Sequence, residues 1–209
     1  MQFDIGLPVY SGSWYTLTGS SMEGSSEMDV REAIEQRRAY RSLVAAEITA
    51  EMVDDLAHCA SLAPSCFNKQ PWRYVYVYKK DTLEALHSSL ARGNEWARKA
   101  SMIIAVYSEA DLDCRIKGRD YFLFDTGLAT AFQILRATEL GLVAHPIAGF
   151  DEEGAKEILG IPAPMTLITL VMVGAHSAEI DPVLSEKQIE AERERPLRLP
   201  KDDYARVIG

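Results

Sequence analysis

A long helix without a polar face places the strongest constraint on the fold of this chain. Residues 121–140 (YFLFDTGLATAFQILRATEL) are apolar almost all round, and Gly141 follows them as a typical helix stop. Small residues along the helix allow close packing: Gly127, Ala129, Ala131 and Ala137. Because such a helix must be covered on every side, we expect it to lie centrally or to contact a second subunit as well.

Strands and helices are predicted to alternate around this helix. Runs of β-branched and aromatic residues predict three strands: 74–78, 102–107 and 166–175. Apolar residues at helical spacing predict four further helices: behind the capping residues Asp29 and Thr49, at 81–92 and at 152–159. The polar segment 109–120 lies between a strand and a helix, where a mobile lid or a substrate-facing loop would sit.

The two ends of the chain differ from the region between them. Residues 1–29 mix Gly and Ser with scattered aromatics, and they lack the basic start and apolar stretch of a signal peptide. We interpret them as an N-terminal arm, flexible or in part foreign to the native chain, since Met22 and Met28 are both candidate start residues. Residues 30–209 are expected to form one domain with an extended, proline-containing tail.

The net charge and the length of the apolar runs argue against two classes of binding partner. Acidic residues number 31 against 22 Lys plus Arg, a net charge of −9, so we expect neither nucleic acid nor a membrane as a partner. The longest nearly unbroken apolar run, residues 167–175, is far shorter than the ~20 residues of a membrane-spanning helix. An anionic ligand must therefore be held by a local basic cluster.

The cysteines give an expectation about compartment and metals. Cys59, Cys66 and Cys114 are too few for a disulfide-stapled secreted framework, so we expect a reducing, cytoplasmic setting. They also lack the spacing of metal ligands, and no metal site is predicted.

One basic cluster follows the first predicted helix. Arg37, Arg38 and Arg41 lie close together in an otherwise acidic chain. Planar guanidinium groups donate paired hydrogen bonds to phosphate oxygens, so this density of arginine suits a phosphate dianion. A solvated helix end, stabilised by the helix dipole, is the alternative.

The loop 64–72 (PSCFNKQPW) places polar side chains between two prolines. Ser65, Asn68 and Gln70 could hydrogen-bond the carbonyl and imide edge of a planar heterocycle. An ordinary turn in which Asn68 bonds its own backbone is the alternative. Cys66 is interpreted as a small packing residue, with a reactive thiol as the other possibility.

Two later segments carry weaker signals. The stretch 145–151 (HPIAGFD) contains Gly149, which lets the backbone approach a ligand closely. Arg193, Arg195 and Arg198 in the tail either complete an anion site or form a solvated charged run.

The order and spacing of these four elements resemble the nitroreductase family of FMN-dependent oxidoreductases. The resemblance covers roughly residues 30–200, and the APSxxNxQPW loop at 63–72 is its most specific part. It implies an α+β fold with a mostly antiparallel central sheet flanked by helices. It further implies an intertwined homodimer with swapped terminal arms and two FMN sites at the interface.

The resemblance also implies roles for particular residues. Arginines in the first cluster and in the tail would hold the FMN phosphate and ribityl or approach the pyrimidine end: Arg37, Arg38, Arg41, Arg193 and Arg195. The loop of the partner subunit would lie against the isoalloxazine: Pro64, Ser65, Cys66, Asn68 and Gln70. The backbone amides of a turn beside the ring would face flavin N5: Pro146, Ile147, Ala148 and Gly149. Two positions depart from the family pattern, because Ala39 replaces a common Ser and Ala148 replaces Glu or Gly.

The implied activity is a ping-pong transfer of hydride from NADH or NADPH through flavin N5 to an electron-poor acceptor, a nitroaromatic or a quinone. The cofactor carries the redox chemistry, and no side-chain nucleophile is required. Arg41 would stabilise the reduced flavin at its N1 and O2 edge. Two alternatives stay open: a specialised flavoenzyme of the same fold, such as a reductive dehalogenase or a flavin-fragmenting enzyme, and a dimer that binds FMN or phosphate without turnover.

Overall fold

The computed structural model describes residues 28–209 of the 209-residue chain. The predicted N-terminal arm, residues 1–29, lies outside the described residues except for Met28 and Asp29.

The sheet at the centre of the fold is antiparallel throughout. Strand β3 pairs with β2 on one side and with β7 on the other, while β6 and β1 also pair with β7. A separate two-stranded hairpin is formed by β4 and β5. The strands are β1 (Leu43–Val44), β2 (Arg73–Val77), β3 (Met102–Ser108), β4 (Arg115–Ile116), β5 (Arg119–Asp120), β6 (Val143–Ile147) and β7 (Thr166–His176). The three predicted strands are confirmed as β2, β3 and β7.

The first two helices begin at the side-chain caps that the sequence predicts. The Asp29 carboxylate accepts from the Glu32 N–H at 2.8 Å, and the Thr49 hydroxyl accepts from the Met52 N–H at 3.2 Å. The helices are α1 (Val30–Gln36), α2 (Ala50–Ser61), α3 (Lys80–Leu86), α4 (Phe122–Glu139), α5 (Glu152–Leu159), α6 (Glu186–Arg193) and α7 (Lys201–Tyr204).

Two segments differ from the sequence prediction. The helix expected over 81–92 ends at Leu86 and continues only as a short 3-10 turn. The segment 109–120, expected as a loop, contains the β4–β5 hairpin, whose turn residues Lys117 and Gly118 have φ of 51° and 80°. A Lys-Gly pair can adopt the left-handed conformation that a tight hairpin turn requires.

Helices cover both faces of the sheet. Alternating side chains of β3 point to opposite faces, so that Ile103 joins one apolar cluster and Ile104 the other. The Ile103 cluster also contains residues of α3 and α5, and the Ile104 cluster contains residues of α2 and α4. The result is the predicted α+β architecture, with the antiparallel sheet between two helical layers.

Helix α4 is only partly covered within one chain. Two of its small residues, Ala129 and Ala137, are buried, as the sequence predicts. On another face, Leu123 is 51%, Phe124 63% and Phe132 39% exposed. One chain therefore leaves this face of α4 open, and the expected contact with a second subunit stays a prediction.

Candidate cofactor site

A buried carboxylate holds the basic turn that follows α1. Glu192, at the end of α6, accepts from the backbone N–H of Arg41 at 2.6 Å and of Ser42 at 3.1 Å. Its side chain is almost fully buried. Because two backbone donors converge on one carboxylate, the path of the turn is fixed by a residue 150 positions later in the sequence.

The C-terminal tail lies against the same turn. A guanidinium nitrogen of Arg38 donates to the carbonyl of Ala191 at 2.7 Å. A guanidinium nitrogen of Arg195 donates to the carbonyls of Glu35 and Arg37 at 2.5 and 2.9 Å. The structure thus brings the first and fourth predicted elements together, and Arg193 is exposed at the end of α6 beside them.

The Arg37 guanidinium lacks a compensating charge. Within residues 28–209, no carboxylate oxygen lies within 4 Å of it. Burial lowers the pKa of Arg37, and the positive charges of Arg195 and Arg198 lower it further. Three guanidinium groups near one another in a chain of net charge −9 form a local cluster of positive charge, whose chemistry suits an anion.

Arg41 connects the turn to β6 through stacked rings. Its guanidinium carbon lies 5.9 Å from the Trp96 ring centroid, and Trp96 stacks on His145 with centroids 4.7 Å apart. Nδ1 of His145 lies 3.0 Å from the carbonyl oxygen of Tyr40. Burial lowers the pKa of Arg41, and burial with the nearby Arg41 and Arg37 charges lowers the pKa of His145 to about 4.

The predicted turn 146–149 begins as strand. Pro146 and Ile147 belong to β6, with Pro146 and the following Ala148 exposed and Ile147 buried. The carbonyl of Gly149 accepts from the Asn94 side-chain amide at 2.8 Å, and a Cβ at Gly149 would lie 2.7 Å from that nitrogen. The close approach that Gly149 permits here is therefore with Asn94, within the chain.

The loop 64–72 lies against the start of α4. The Cys66 N–H donates to a carboxylate oxygen of Asp125 at 2.6 Å. The Ser65 hydroxyl accepts from the Gln70 N–H at 3.0 Å, and the Asn68 side-chain oxygen accepts from the Gln70 amide at 3.1 Å. Some of the polar groups predicted to bind a heterocycle therefore also stabilise the loop itself.

The conformation of this loop is strained. Phe67, Asn68 and Gln70 have φ of 49°, 56° and 50°, in the left-handed region that side chains other than glycine rarely adopt. Phe67 is also 85% exposed. Such strain persists only where surrounding contacts fix the backbone, and it is common at functional loops.

Cys66 forms a disulfide with Cys114, which the sequence analysis missed. Cys66 is thus neither a free thiol nor an ordinary packing residue, and Cys59 is the free cysteine. The pairing could not be predicted from the sequence because 48 positions separate the two residues. The path of residues 109–114 brings Cys114 next to Cys66. An Asp113 oxygen also lies within 4.8 Å of the sulfurs, and the absence of a metal site stays a prediction.

A shallow pocket of about 370 Å³ lies between the loop, the hairpin and α4. Its lining contains none of the arginines of the basic turn or tail: Pro64, Ser65, Cys66, Phe67, Ile116, Tyr121, Phe124, Asp125 and Leu128. One chain therefore presents the arginine cluster and the loop 64–72 as separate surfaces.

The family model of the nitroreductase family matches residues 34–175, about two thirds of the chain. The chain belongs to the nitroreductase family.

Comparisons with individual proteins agree with this membership. A crystal structure described as an oxidoreductase containing FMN is 26% identical, with a TM-score of 0.73, and the match covers 90% of this chain and 96% of that one. A Thermus thermophilus protein named NADH dehydrogenase is 26% identical over 189 residues, 73% of this chain and 89% of the relative. A nitroreductase family protein from Clostridium novyi NT, 23% identical, has the same fold, with a TM-score of 0.67 and coverage of 72% and 87%.

In this member of the family, several supporting residues escaped the sequence analysis. Glu192, Trp96 and Asn94 position the basic turn, His145 and Gly149 without carrying a recognisable motif. A single signal was present for Glu192: this acidic residue directly precedes the arginine-rich run 193–198. Across residues 28–209, no helix combines the length and the apolar character needed to cross a membrane.

Proposed function

We propose that this nitroreductase family member is an FMN-dependent oxidoreductase that passes hydride from NADH or NADPH to an electron-poor acceptor. The observation that carries the proposal is the uncompensated cluster of Arg37, Arg195 and Arg198. A phosphate dianion at this place would replace the missing counter-charge, and FMN has a phosphate of this kind. The FMN-containing relative with 26% identity supports the same cofactor.

The residues have distinct tasks in this proposal. Arg37 and Arg195 bind the phosphate, with Arg38 and Arg193 beside them, and Ala39 leaves one hydroxyl contact of the usual pattern unmade. Arg41, held through its backbone by Glu192, stabilises negative charge at the N1 and O2 edge of the ring. FMN, when bound, supplies the ring that accepts and returns hydride.

The remaining predicted residues would frame the ring. Pro146, Ile147, Ala148 and Gly149 offer backbone groups at the end of β6, which His145 and Trp96 connect to the basic turn. The loop residues Pro64, Ser65, Cys66, Asn68 and Gln70 would come from the partner subunit, since in one chain that loop faces a separate pocket.

We further propose a homodimer, with 30–209 as one domain and the tail reaching across the interface. Support comes from the apolar side chains that one chain leaves exposed on α1, α4 and the tail: Val30, Ile34, Leu123, Phe124, Phe132, Leu197, Leu199, Val207 and Ile208. Phe124→Asp should convert the dimer to monomer in sedimentation velocity. Ile180→Asp, at an exposed apolar residue outside this surface, should leave the dimer intact.

A ping-pong cycle follows if reductant and acceptor use the same exposed ring face in turn. Initial rates measured against NADH or NADPH at several acceptor concentrations should then give parallel lines in double-reciprocal plots. Intersecting lines would contradict sequential use of one face. The nicotinamide with the larger kcat/KM identifies the reductant, and the cytoplasmic location expected from the sequence stays a prediction.

The proposal is tested directly by FMN binding, followed through the quenching of flavin fluorescence. We expect saturable binding of FMN and much weaker binding of riboflavin, because riboflavin lacks the phosphate that Arg37 and Arg195 would hold. Equal affinity for the two flavins would contradict the phosphate site. Binding without reduction by either nicotinamide would instead favour a non-catalytic dimer, and loss of the flavin ring during turnover would favour a flavin-fragmenting enzyme.

A further inference from the structure

We infer that Cys66 and Cys114 form a reversible thiol–disulfide site whose oxidation clamps the β4–β5 hairpin over the pocket at the start of α4. The inference rests on the contacts of loop 64–72, the hairpin and α4. It does not depend on the proposed flavin chemistry.

The hairpin has few other attachments. Its hydrogen bonds join residues between 110 and 121 to one another, including the N–H of Tyr121 to the carbonyl of Cys114 at 3.1 Å. The Arg115–Asp120 ion pair, at 2.5 Å, also stays within the hairpin. All residues from 115 to 120 are exposed. Apart from the main chain at its two ends, the Cys66–Cys114 bond is therefore the covalent cross-link from this segment to the body of the fold.

The same bond joins two walls of the pocket. Cys66 and Phe67 line it from the loop, and Ile116 lines it from the hairpin. Phe124 and Asp125 of α4 form the floor between them. While the bond is intact, Ile116 stays within reach of the loop. Once the bond is cleaved, only weak contacts hold the hairpin at the pocket.

The surroundings of the sulfurs suit a reversible bond that is stable until a reductant attacks. Cys66 is half-buried beside the exposed Phe67, so that a small thiol can reach it. The carboxylate of Asp125 accepts from the Cys66 N–H at 2.6 Å, and that of Asp113 accepts from the Cys114 N–H at 2.7 Å. Negative charge at both cysteines disfavours thiolates, which slows departure of a sulfur and favours the disulfide.

The reaction balances as an ordinary exchange. A small dithiol attacks one sulfur, the Cys66–Cys114 bond breaks, and a mixed disulfide forms. The second thiol of the reductant then closes its own disulfide, so that two electrons and two protons reach the protein. Oxidation is the reverse exchange with a low-molecular-weight disulfide, which leaves as two thiols.

Redox titration tests the bond itself. The full-length protein is equilibrated with reduced and oxidised glutathione at a series of ratios, alkylated, and analysed by mass spectrometry. We expect Cys66 and Cys114 to lose alkylation together as the buffer becomes oxidising, while Cys59 remains alkylated at every ratio. Full alkylation of all three cysteines in oxidised glutathione would overturn the inference, and so would a bond that excess dithiothreitol leaves intact under native conditions.

Limited trypsinolysis tests the clamp. Trypsin can cut after Arg115, Lys117 and Arg119 in the hairpin and, as an internal reference, after the exposed Lys187 in α6. We expect reduction to raise the rate of hairpin cleavage at least tenfold while cleavage after Lys187 stays constant. Equal hairpin rates in both states would overturn the clamp, and a parallel rise after Lys187 would do so as well, since it would mean general unfolding.

Variants separate the clamp from effects of the reductant. Cys114→Ser without reductant should show the fast hairpin cleavage of the reduced protein, and Cys59→Ser should behave as the oxidised wild type. Slow cleavage in Cys114→Ser would contradict the assignment. If Cys114→Ser fails to fold, the wild-type comparison with and without dithiothreitol still decides the matter.

Discussion

The Arg195 guanidinium donates to the backbone carbonyl of Arg37 at 2.9 Å, which joins the C-terminal tail to the turn after α1. The Arg37 side chain is left half-buried among positive charges, with Arg195 and Arg198 near it. Two segments separated by 158 positions thus form one basic site, which explains why either segment alone resembles a solvated charged run.

Removing the arginines of this site should weaken FMN binding. Arg37→Ala and Arg195→Ala each delete a cation from a partly desolvated phosphate site. We expect a loss of about 2–5 kcal/mol, roughly a 30-fold to several-thousand-fold rise in Kd. The measurement is a fluorescence titration with FMN.

Arg31→Ala is the matched control, because Arg31 lies on α1 in an exposed ion pair with Glu35. It should leave the Kd for FMN unchanged. If Arg37→Ala and Arg195→Ala behave like this control, the phosphate assignment is wrong.

Replacing Glu192 should loosen the basic turn. Glu192→Ala leaves the N–H groups of Arg41 and Ser42 without their acceptor, and Ser42 is buried. We expect the free energy of unfolding to fall by about 3–6 kcal/mol, since each of the two hydrogen bonds to the carboxylate contributes about 1.5–3 kcal/mol. Urea denaturation measures the loss, with the exposed Glu194→Ala as a control.

His145 should make the fold sensitive to acid. Its pKa is lowered to about 4 by burial and nearby arginines, below the ordinary value of 6.5. A depressed histidine pKa means that the folded state favours the neutral ring. The contribution of the neutral His145 ring to the free energy of unfolding is therefore complete above pH 6.5 and is lost as the pH falls towards 4. The full loss is about 3 kcal/mol, at 1.36 kcal/mol for each pKa unit.

This dependence is measured as the free energy of unfolding between pH 4 and pH 8. His145→Gln should remove the part of the acid sensitivity that belongs to this ring, and the exposed His58→Gln should not. An unchanged pH profile in His145→Gln would refute the assignment.

Asp113 should oppose folding at neutral pH. Burial raises its pKa, and the negative charge of Asp125 raises it further. A raised carboxyl pKa disfavours the charged form in the folded protein, so stability is lost as the pH rises through that value. Asp113→Asn keeps an oxygen for the Cys114 N–H and should raise the Tm at pH 7. No gain at pH 7, or a gain matched by the exposed Asp111→Asn, would contradict this.

The fold was predictable where local patterns matched tertiary structure. The capping residues Asp29 and Thr49 mark the starts of α1 and α2, and the runs at 74–78 and 102–107 became β2 and β3. The prediction of a helix over 81–92 was wrong beyond Leu86, because a periodic apolar pattern does not reveal a break into a 3-10 turn at His87. The hairpin within 109–120 was not predicted, because its two strands are two residues each and too short to show an alternating pattern.

The sequence indicated which segments contribute to the candidate site, but it did not indicate how those segments lie relative to one another. Arginine density indicated an anion site, and the structure brings Arg37 and Arg195 together. The contacts that position them depend on long-range partners such as Glu192, which no local pattern indicates. The Cys66–Cys114 bond escaped for the same reason, since spacing in the sequence does not report distance in the fold.

The most direct test of the central claim is the visible spectrum of the FMN-reconstituted protein during anaerobic addition of NADH and, separately, NADPH. We predict a bound flavin whose visible absorbance bleaches with at least one nicotinamide and returns when a quinone is added. Failure to retain FMN, or a bound flavin that neither nicotinamide bleaches, would contradict it.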